Sequence, residues 1–376
     1  MKTFDLIILG GGISGLGIAR AAAQRNLSTA LLEAHSCGSA TSNNTLRIIH
    51  GGFRYLQTGD LPRVVTSLLD QKALLREAPD ALAALPCVMP LARFGLKSRL
   101  PVSCAALLYA TLMRLCGSPL KTPSILSVAD INGSIPLLRG LAPYGALCWH
   151  DAVMTEPQKV TELLVRGLLV RGLPVRESLS EHVAIYENTA VQSVVKNGDH
   201  FEVRDTKGGL WCSRFVVNAL GPWLPHVSVP AELQGIRPRW SRGFNITITR
   251  QLDPTYGIGV QSADGRLFFT LPRGSGSSIG TYYLPDSNKG LSPTVSEAEL
   301  ENFISAFNTA LPGANVRLAE VSGVDVGLLP MLNDTPAGPK LYANGRIHKA
   351  GGYIEVLSTK YTTFRSQGRS ILRMIT

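Results

Sequence analysis

The stretch Phe4-Asp5-Leu6-Ile7-Ile8-Leu9-Gly10-Gly11-Gly12-Ile13-Ser14-Gly15-Leu16-Gly17-Ile18-Ala19-Arg20 decides the fold. Asp5 to Leu9 reads as a short apolar strand, the glycines as a turn, and the Ala-rich run from Leu16 to Gln24 as a helix. Gly10, Gly12 and Gly15 match G-x-G-x-x-G. In that pattern the first glycine permits a tight turn, the second lets backbone approach a pyrophosphate, and the third allows close helix-to-strand packing. Ile13 and Ser14 stand in the glycine turn that leads into the helix N-terminus, where unpaired N–H groups and the positive dipole end favour an anion. A second apolar run, Thr29-Ala30-Leu31-Leu32, ends at Glu33. A carboxylate there accepts hydrogen bonds from both ribose hydroxyls of an adenosine and disfavours a 2′-phosphate. Strand, turn, helix and distal acid together predict a dinucleotide site on a Rossmann-like α/β domain.

Working outward, the chain has 376 residues, more than one domain usually holds, and its 45% apolar and 17% charged content describes a globular protein with a large core. A net charge of +10 suits anionic substrates, a lipid surface or nucleic acid. No run of five Lys/Arg and no nucleic-acid motif occurs, so nucleic acid is not expected as a partner. The six cysteines form no C-x-x-C pair and no metal-ligand spacing, which predicts free thiols, a reducing compartment and no metal site. A strand starting within four residues of the N-terminus leaves no room for a signal peptide, and no apolar run is read as long enough to span a bilayer. The expected location is cytoplasmic, with peripheral attachment to the inner face of the cell membrane as an extension.

After Glu33, the small polar segment Ser36 to Thr45 reads as a loop whose amides and hydroxyls, Thr41 and Ser42 among them, are available to a pyrophosphate or ribityl chain. Next comes Leu46-Arg47-Ile48-Ile49-His50-Gly51-Gly52-Phe53-Arg54-Tyr55-Leu56, which sets an imidazole, a guanidinium and a phenol within six residues. The two glycines leave space for a ring system to approach. An imidazole titrates near neutral pH and suits removal of a hydroxyl proton. A guanidinium offers fork-shaped donors to phosphate or carboxylate.

These residues resemble the FAD-dependent glycerol-3-phosphate dehydrogenases, within the larger flavoprotein family that includes D-amino-acid oxidase. That family carries a Thr-Ser-rich loop followed by Leu-Ile-His-Gly-Gly-x-Arg-Tyr-Leu, matched here by Ile48 to Leu56. The resemblance implies FAD as cofactor, with His50 and Arg54 beside the flavin at the substrate and Tyr55 next to them. It extends over nearly the whole chain. Phe215-Val216-Val217-Asn218-Ala219-Leu220-Gly221-Pro222-Trp223 resembles a buried strand ending at the cofactor in Asn-Ala-x-Gly-x-Trp, which implicates Ala219, Gly221 and Trp223; Ala190 and Val191, opening the run Thr189 to Val195, are implicated likewise. Near the C-terminus, Gly351-Gly352-Tyr353-Ile354-Glu355-Val356-Leu357-Ser358-Thr359-Lys360-Tyr361-Thr362-Thr363-Phe364-Arg365 is similar to the family's Gly-Gly-Lys-x-Thr-Thr-Tyr-Arg. Gly352, Thr359, Lys360, Tyr361 and Thr362 are thereby placed at the flavin, with Lys360 also near the substrate. One departure is Asp325, in Gly323-Val324-Asp325-Val326-Gly327, where the family has an arginine for the substrate phosphate.

The remaining segments supply architecture. Periodicity predicts helices within Leu61–Leu85, over Val102–Cys116 with basic flanks, over Lys159–Arg171 and over Glu297–Leu311. Alternation predicts a meander from Thr189 to Cys212 and a mostly antiparallel sheet from Ile236 onward. The expected fold is a Rossmann-like FAD-binding domain (1–90, 146–232 and 320–376) with an inserted, mainly antiparallel β substrate domain (91–145 and 233–319). The expected activity is hydride transfer from a hydroxyl-bearing carbon to flavin, with glycerol 3-phosphate as substrate and a quinone or other carrier as acceptor. Two alternatives stand beside it: a sister flavoenzyme for another hydroxy acid, polyol phosphate or amino acid, and a flavin-binding subunit without turnover. A purely NAD-dependent dehydrogenase is disfavoured by the Thr41-Ser42, Gly221-Pro222-Trp223 and tail motifs.

Overall fold

A computed structural model describes residues 2–169, 182–286, 293–335 and 338–375. Two sheets divide the chain. In the first, strands Tyr353–Leu357, Leu210–Asn218, Lys2–Leu9, Thr29–Leu32 and Val183–Tyr186 lie side by side and parallel, with Arg346–Ala350 antiparallel at one edge. Both faces are buried, as the near-continuous apolar runs require. Leu6, Ile8, Leu31, Val217 and Val356 pack under helices Ile13–Ala23 and Phe364–Ile375. Ile7, Leu9, Leu32 and Val216 pack under the meander Val191–Asn197 and His200–Asp205, through Val194, Phe201 and Val203.

The second sheet runs Gly338–Leu341, Val321–Thr335, Arg239–Ile248, Gly276–Pro285, Leu267–Arg273, Gly257–Gln261, Leu82–Pro90, Ala146–Met154 and Ile48–Ile49, with Ser124–Leu126 beside Ala146–Met154. Its pairs are antiparallel except for Gly257–Gln261 with Leu82–Pro90. Phe244, Ile246, Phe268 and Ile279 on one face bury Phe303 and Phe307 of helix Glu297–Ala310. The fold class expected from the sequence is thus observed, but its boundaries differ. Strands Leu82–Pro90, Ala146–Met154 and Val321–Thr335 pair into the second sheet, whereas the sequence reading gave them to the nucleotide domain. Alternation reports that a strand has a buried face; it does not report which neighbour supplies the hydrogen bonds.

Helices appear where periodicity placed them, at Leu61–Glu77, Arg99–Cys116, Pro157–Leu169 and Glu297–Ala310. The end of the one expected over Lys159–Arg171 lies outside the described residues. Helix Arg99–Cys116 corrects the reading of the apolar runs: by length and composition it is apolar enough to cross a membrane. Val102, Ala106, Tyr109, Ala110 and Met113 pack inward, while Leu100, Leu107 and Leu115 are exposed. The cysteines are free; Cys87, Cys148 and Cys212 are buried and Cys104 is exposed.

Candidate active site

The parallel strands Lys2–Leu9, Thr29–Leu32, Leu210–Asn218 and Tyr353–Leu357 share one carboxyl edge, so Gly10, Glu33, Ala219 and Ser358 emerge together there. Ligands of open α/β sheets bind outside this edge. Gly10 turns with φ +96°, and a Cβ on Gly15 would lie 1.9 Å from the Gly10 carbonyl oxygen, so helix Ile13–Ala23 can sit against the turn only without a side chain at that position. The helix starts at Gly12 with no side-chain cap and no acid in its first turn. Ile13 donates its N–H to Ser42 Oγ at 3.0 Å, and Ser14 Oγ donates to Gln367 of the C-terminal helix at 3.1 Å. Thr41 packs beside Gly327, and Asn44 donates to the Val326 carbonyl at 2.7 Å, tying this loop to the second sheet.

Glu33 accepts from the Gly11 N–H at 2.6 Å and from the His35 N–H at 2.9 Å. Thr189 donates to the Glu33 carbonyl at 2.7 Å, which carries Ala190 and Val191 past this carboxylate. Leu220 donates to Asn218 Oδ1 at 3.2 Å, and Gly221 (φ +57°) turns the chain into the short helix Gly221–His226 that holds Trp223. Thr359 and Lys360 follow the strand at the same edge, and Tyr361 and Thr362 begin the turn into helix Phe364–Ile375. A helix start with no acid in its first turn, its Ile13 N–H met only by the neutral Ser42 hydroxyl, suits a pyrophosphate, and Glu33 suits a ribose; the edge therefore fits FAD. Gly352 is the exception. It precedes strand Tyr353–Leu357, at the opposite end of the sheet by roughly 15 Å, and a Cβ there would lie 2.7 Å from the Arg214 carbonyl oxygen. It fits the packing of the hairpin, not the cofactor edge.

In the second sheet, Ile48–Ile49 pairs antiparallel with Ala146–Met154, Ile49 opposite Ala152, and this register continues to set His50 beside Asp151. His50 Nδ1 lies 3.0 Å from Asp151 Oδ2. Trp149 Nε1 donates to the same oxygen at 3.0 Å; the Gly51 N–H (2.7 Å) and Gln71 Nε2 (3.2 Å) donate to Oδ1. Burial pushes the Asp151 carboxyl up, but the bonds from His50, Gly51 and Trp149 outweigh it and hold the group below the ordinary carboxylate range. Gly51 leaves room for protein side chains, since a Cβ would lie 2.2 Å from Tyr109 Oη and 3.0 Å from Gln71 Oε1. That explains the first glycine of the pair by packing, where the sequence suggested the approach of a ring system.

Lys360 reaches Tyr55 from the tail. Its Nζ stands 3.8 Å from the centre of the Tyr55 ring and is buried without a hydrogen-bond partner. Burial, then the charges of Arg63 and Arg54, lower its pKa to about 7 against the pull of Asp60. Arg54 and Arg63 also lie over or beside the Tyr55 ring, at 5.5 Å and 4.2 Å. His50, Arg54, Tyr55 and Lys360 are thus carried by two segments, Ile48–Thr58 and the turn after Leu357, that the sequence separates by some three hundred residues.

Asp325 does not stand alone: its Oδ2 lies 3.2 Å from Arg273 Nη1, and Arg273 also bonds Thr247 Oγ1. Arg47, whose pKa is lowered by burial and then by the Arg273 charge, is close enough to feel both members of the pair. The carboxylate that replaces the family arginine is therefore neutralised within the sheet. Among the described residues no group of three or more His, Cys, Asp or Glu is placed to hold a metal ion.

A Rossmann-like edge built for a dinucleotide, covered by an antiparallel sheet and flanked by His50 and a cationic group, defines a flavin-dependent oxidoreductase. The FAD dependent oxidoreductase family model matches residues 5–353, and the chain belongs to that family. It is 27% identical over 382 residues to a probable mitochondrial glycerol-3-phosphate dehydrogenase of Caenorhabditis elegans, covering 97% of this chain and 51% of that protein. It is 25% identical over 348 residues to the alpha-glycerophosphate oxidase of Enterococcus casseliflavus, covering 88% and 55%. The chain thus spans about half the length of these curated relatives. The dithionite-reduced L-alpha-glycerophosphate oxidase of Mycoplasma pneumoniae with FAD bound superposes with a TM-score of 0.73 at 15% identity, over 100% of this chain and 95% of that one, which shows the shared fold.

Proposed function

We propose that this chain oxidises glycerol 3-phosphate to dihydroxyacetone phosphate. The observation that carries the reading is the convergence of Arg54, Arg63 and Lys360 around Tyr55 in the structure that also holds His50. Three cationic side chains suit a phosphate dianion, and an imidazole suits the proton of the adjacent secondary alcohol. Gly10, Gly12, Ile13, Ser14, Gly15, Glu33, Thr41, Ser42, Ala190, Val191, Ala219, Gly221, Trp223 and the turn Thr359 to Thr362 would hold FAD. When bound, FAD supplies the hydride acceptor for the carbon that bears the hydroxyl.

The protein's own part is binding and proton transfer. Arg54 and Lys360 clamp the phosphate and fix the distance of the alcohol from His50. His50 Nε2 takes the hydroxyl proton as the carbonyl forms. Arg273, engaged with Asp325, relieves the repulsion that a free carboxylate would exert on an anionic substrate, and it removes the counter-charge an ammonium group would need. That favours glycerol 3-phosphate over an amino acid.

A quinone or other carrier reoxidises the flavin, and the enzyme works at the surface of a membrane. Support for the surface comes from Phe94, Leu96, Leu100, Leu107 and Leu115, each at least two-thirds exposed, with Arg93, Lys97, Arg99 and Arg114 among them. An apolar face bordered by cations is the pattern of an interfacial helix.

The test is anaerobic stopped-flow reduction of the FAD-loaded protein by glycerol 3-phosphate. His50→Ala is expected to slow reduction by about 10²–10⁴-fold with FAD retained. Reduction at the wild-type rate would remove His50 from the chemistry and with it the reading.

A further inference from the structure

The carboxylate behind His50 is built as a fixed acceptor. Asp151 is 2% exposed and meets four polar neighbours: Trp149 Nε1 donates to Oδ2, the Gly51 N–H and Gln71 Nε2 donate to Oδ1, and His50 Nδ1 lies 3.0 Å from Oδ2. The Trp149 and Gly51 groups donate only, and Gln71 Nε2 also donates to the Ile49 carbonyl at 2.7 Å, which fixes the orientation of its amide. With the other three neighbours donating, an ionised carboxylate satisfies the site, and an ionised carboxylate cannot offer a hydrogen to the imidazole. His50 Nδ1 must then carry the hydrogen of that contact. In the neutral ring this leaves Nε2 with its lone pair free, on a side chain that is 41% exposed while Asp151 is buried.

The backbone reinforces the ring. Asp151 holds the Gly51 N–H, the peptide directly after His50, with one oxygen and the His50 ring with the other, so the main chain and the imidazole are gripped by one rigid group. Phe53 stacks on Trp149 at 5.9 Å between ring centres and meets Tyr109 edge-on at 5.1 Å, which closes the site on the inner side.

We infer that Asp151 is a positioning residue for proton transfer, keeping the His50 hydrogen on Nδ1 and so presenting Nε2 as the proton acceptor. The inference rests on the proposed role of His50. It adds a residue whose chemistry is never in contact with substrate or flavin, and it predicts a particular tautomer in the resting protein.

Two measurements on the FAD-loaded protein test it. The first is the long-range ¹⁵N–¹H spectrum of protein labelled at its seven histidines, with the His50 signals assigned from their loss in His50→Ala. The neutral His50 ring is expected as the Nδ1–H form; an Nε2–H form overturns the inference, and this result needs no variant at Asp151. The second is Asp151→Asn, which offers His50 an amide hydrogen in place of a carboxylate oxygen. It is expected to move His50 to the Nε2–H form and to slow flavin reduction by about 10³–10⁴-fold, as loss of the analogous carboxylate does in serine proteases, with FAD still bound. An unchanged tautomer and rate in the folded variant overturn the inference. The two failures separate: His50→Ala reduced at the wild-type rate overturns the proposed function, whereas a slow His50→Ala beside a normal Asp151→Asn overturns the positioning role alone.

Discussion

Replacing Gly15 by alanine tests the cofactor edge with a single methyl group. Its Cβ would lie 1.9 Å from the Gly10 carbonyl oxygen and 3.1 Å from that carbonyl's carbon. A carbon and a carbonyl oxygen rest at roughly 3.3 Å, so turn and helix must separate by about 1.4 Å. Neither element can yield cheaply. Gly10 donates its N–H to the Leu32 carbonyl at 2.8 Å, and helix Ile13–Ala23 is packed on helix Phe364–Ile375 at Gly17 and Gly368. Amides placed at 2.9 Å from a pyrophosphate oxygen would be left beyond 4 Å, outside hydrogen-bond range. Two charge-assisted bonds at about 1.5–3 kcal/mol each amount to some 10²–10⁴-fold in FAD affinity. The assay is titration of apoprotein with FAD, followed by flavin fluorescence quenching. Gly133→Ala, where nothing lies within 4 Å of the added Cβ, serves as control and should leave affinity unchanged. Gly15→Ala protein that binds FAD within threefold of wild type would refute the geometry on which the edge was read.

Four further outcomes are expected. Glu33→Ala should weaken FAD retention by about 10–10²-fold, because it removes a charged acceptor for the ribose; full retention after gel filtration would deny it that role. Lys360, with its pKa lowered to about 7, is a cation below that pH and neutral above it. The KM for an anionic substrate should therefore rise as pH increases through 7, where the phosphate is already largely a dianion, and Lys360→Met should lose this inflection. In the folded chain Lys360 gives up its proton earlier than the unfolded chain does, so its contribution favours folding more as pH rises from about 7 towards 10.5. Finally, Leu107→Glu with Leu115→Glu, at positions 69% and 79% exposed, should reduce co-sedimentation with anionic vesicles without lowering Tm; undiminished binding would remove this helix from the membrane reading.

What the sequence made legible were local signals. G-x-G-x-x-G with Glu33 is a short-range pattern, and the strand, turn and helix follow from it residue by residue. His50, Arg54 and Tyr55 were legible for the same reason, being close in the chain. What escaped depended on register. Asp151 stands in Trp149-His150-Asp151-Ala152, where no neighbour in the chain marks it for chemistry rather than architecture, and only the pairing of Ile49 with Ala152 brings it to His50. Gly352 looked like a cofactor residue because the Gly-Gly pair resembles the family's, yet a strand of five residues separates it from Lys360's end of the sheet. Asp325 looked hostile to an anion because its partner Arg273 lies 52 positions away on another strand of the same sheet.

The most direct measurement is an anaerobic absorbance titration of the FAD-loaded protein with glycerol 3-phosphate, run beside glycerol, other hydroxy acids and amino acids. The account predicts stoichiometric bleaching by glycerol 3-phosphate, with glycerol and amino acids leaving the flavin oxidised. Bleaching by an amino acid in preference, or by none of the compounds, would contradict it.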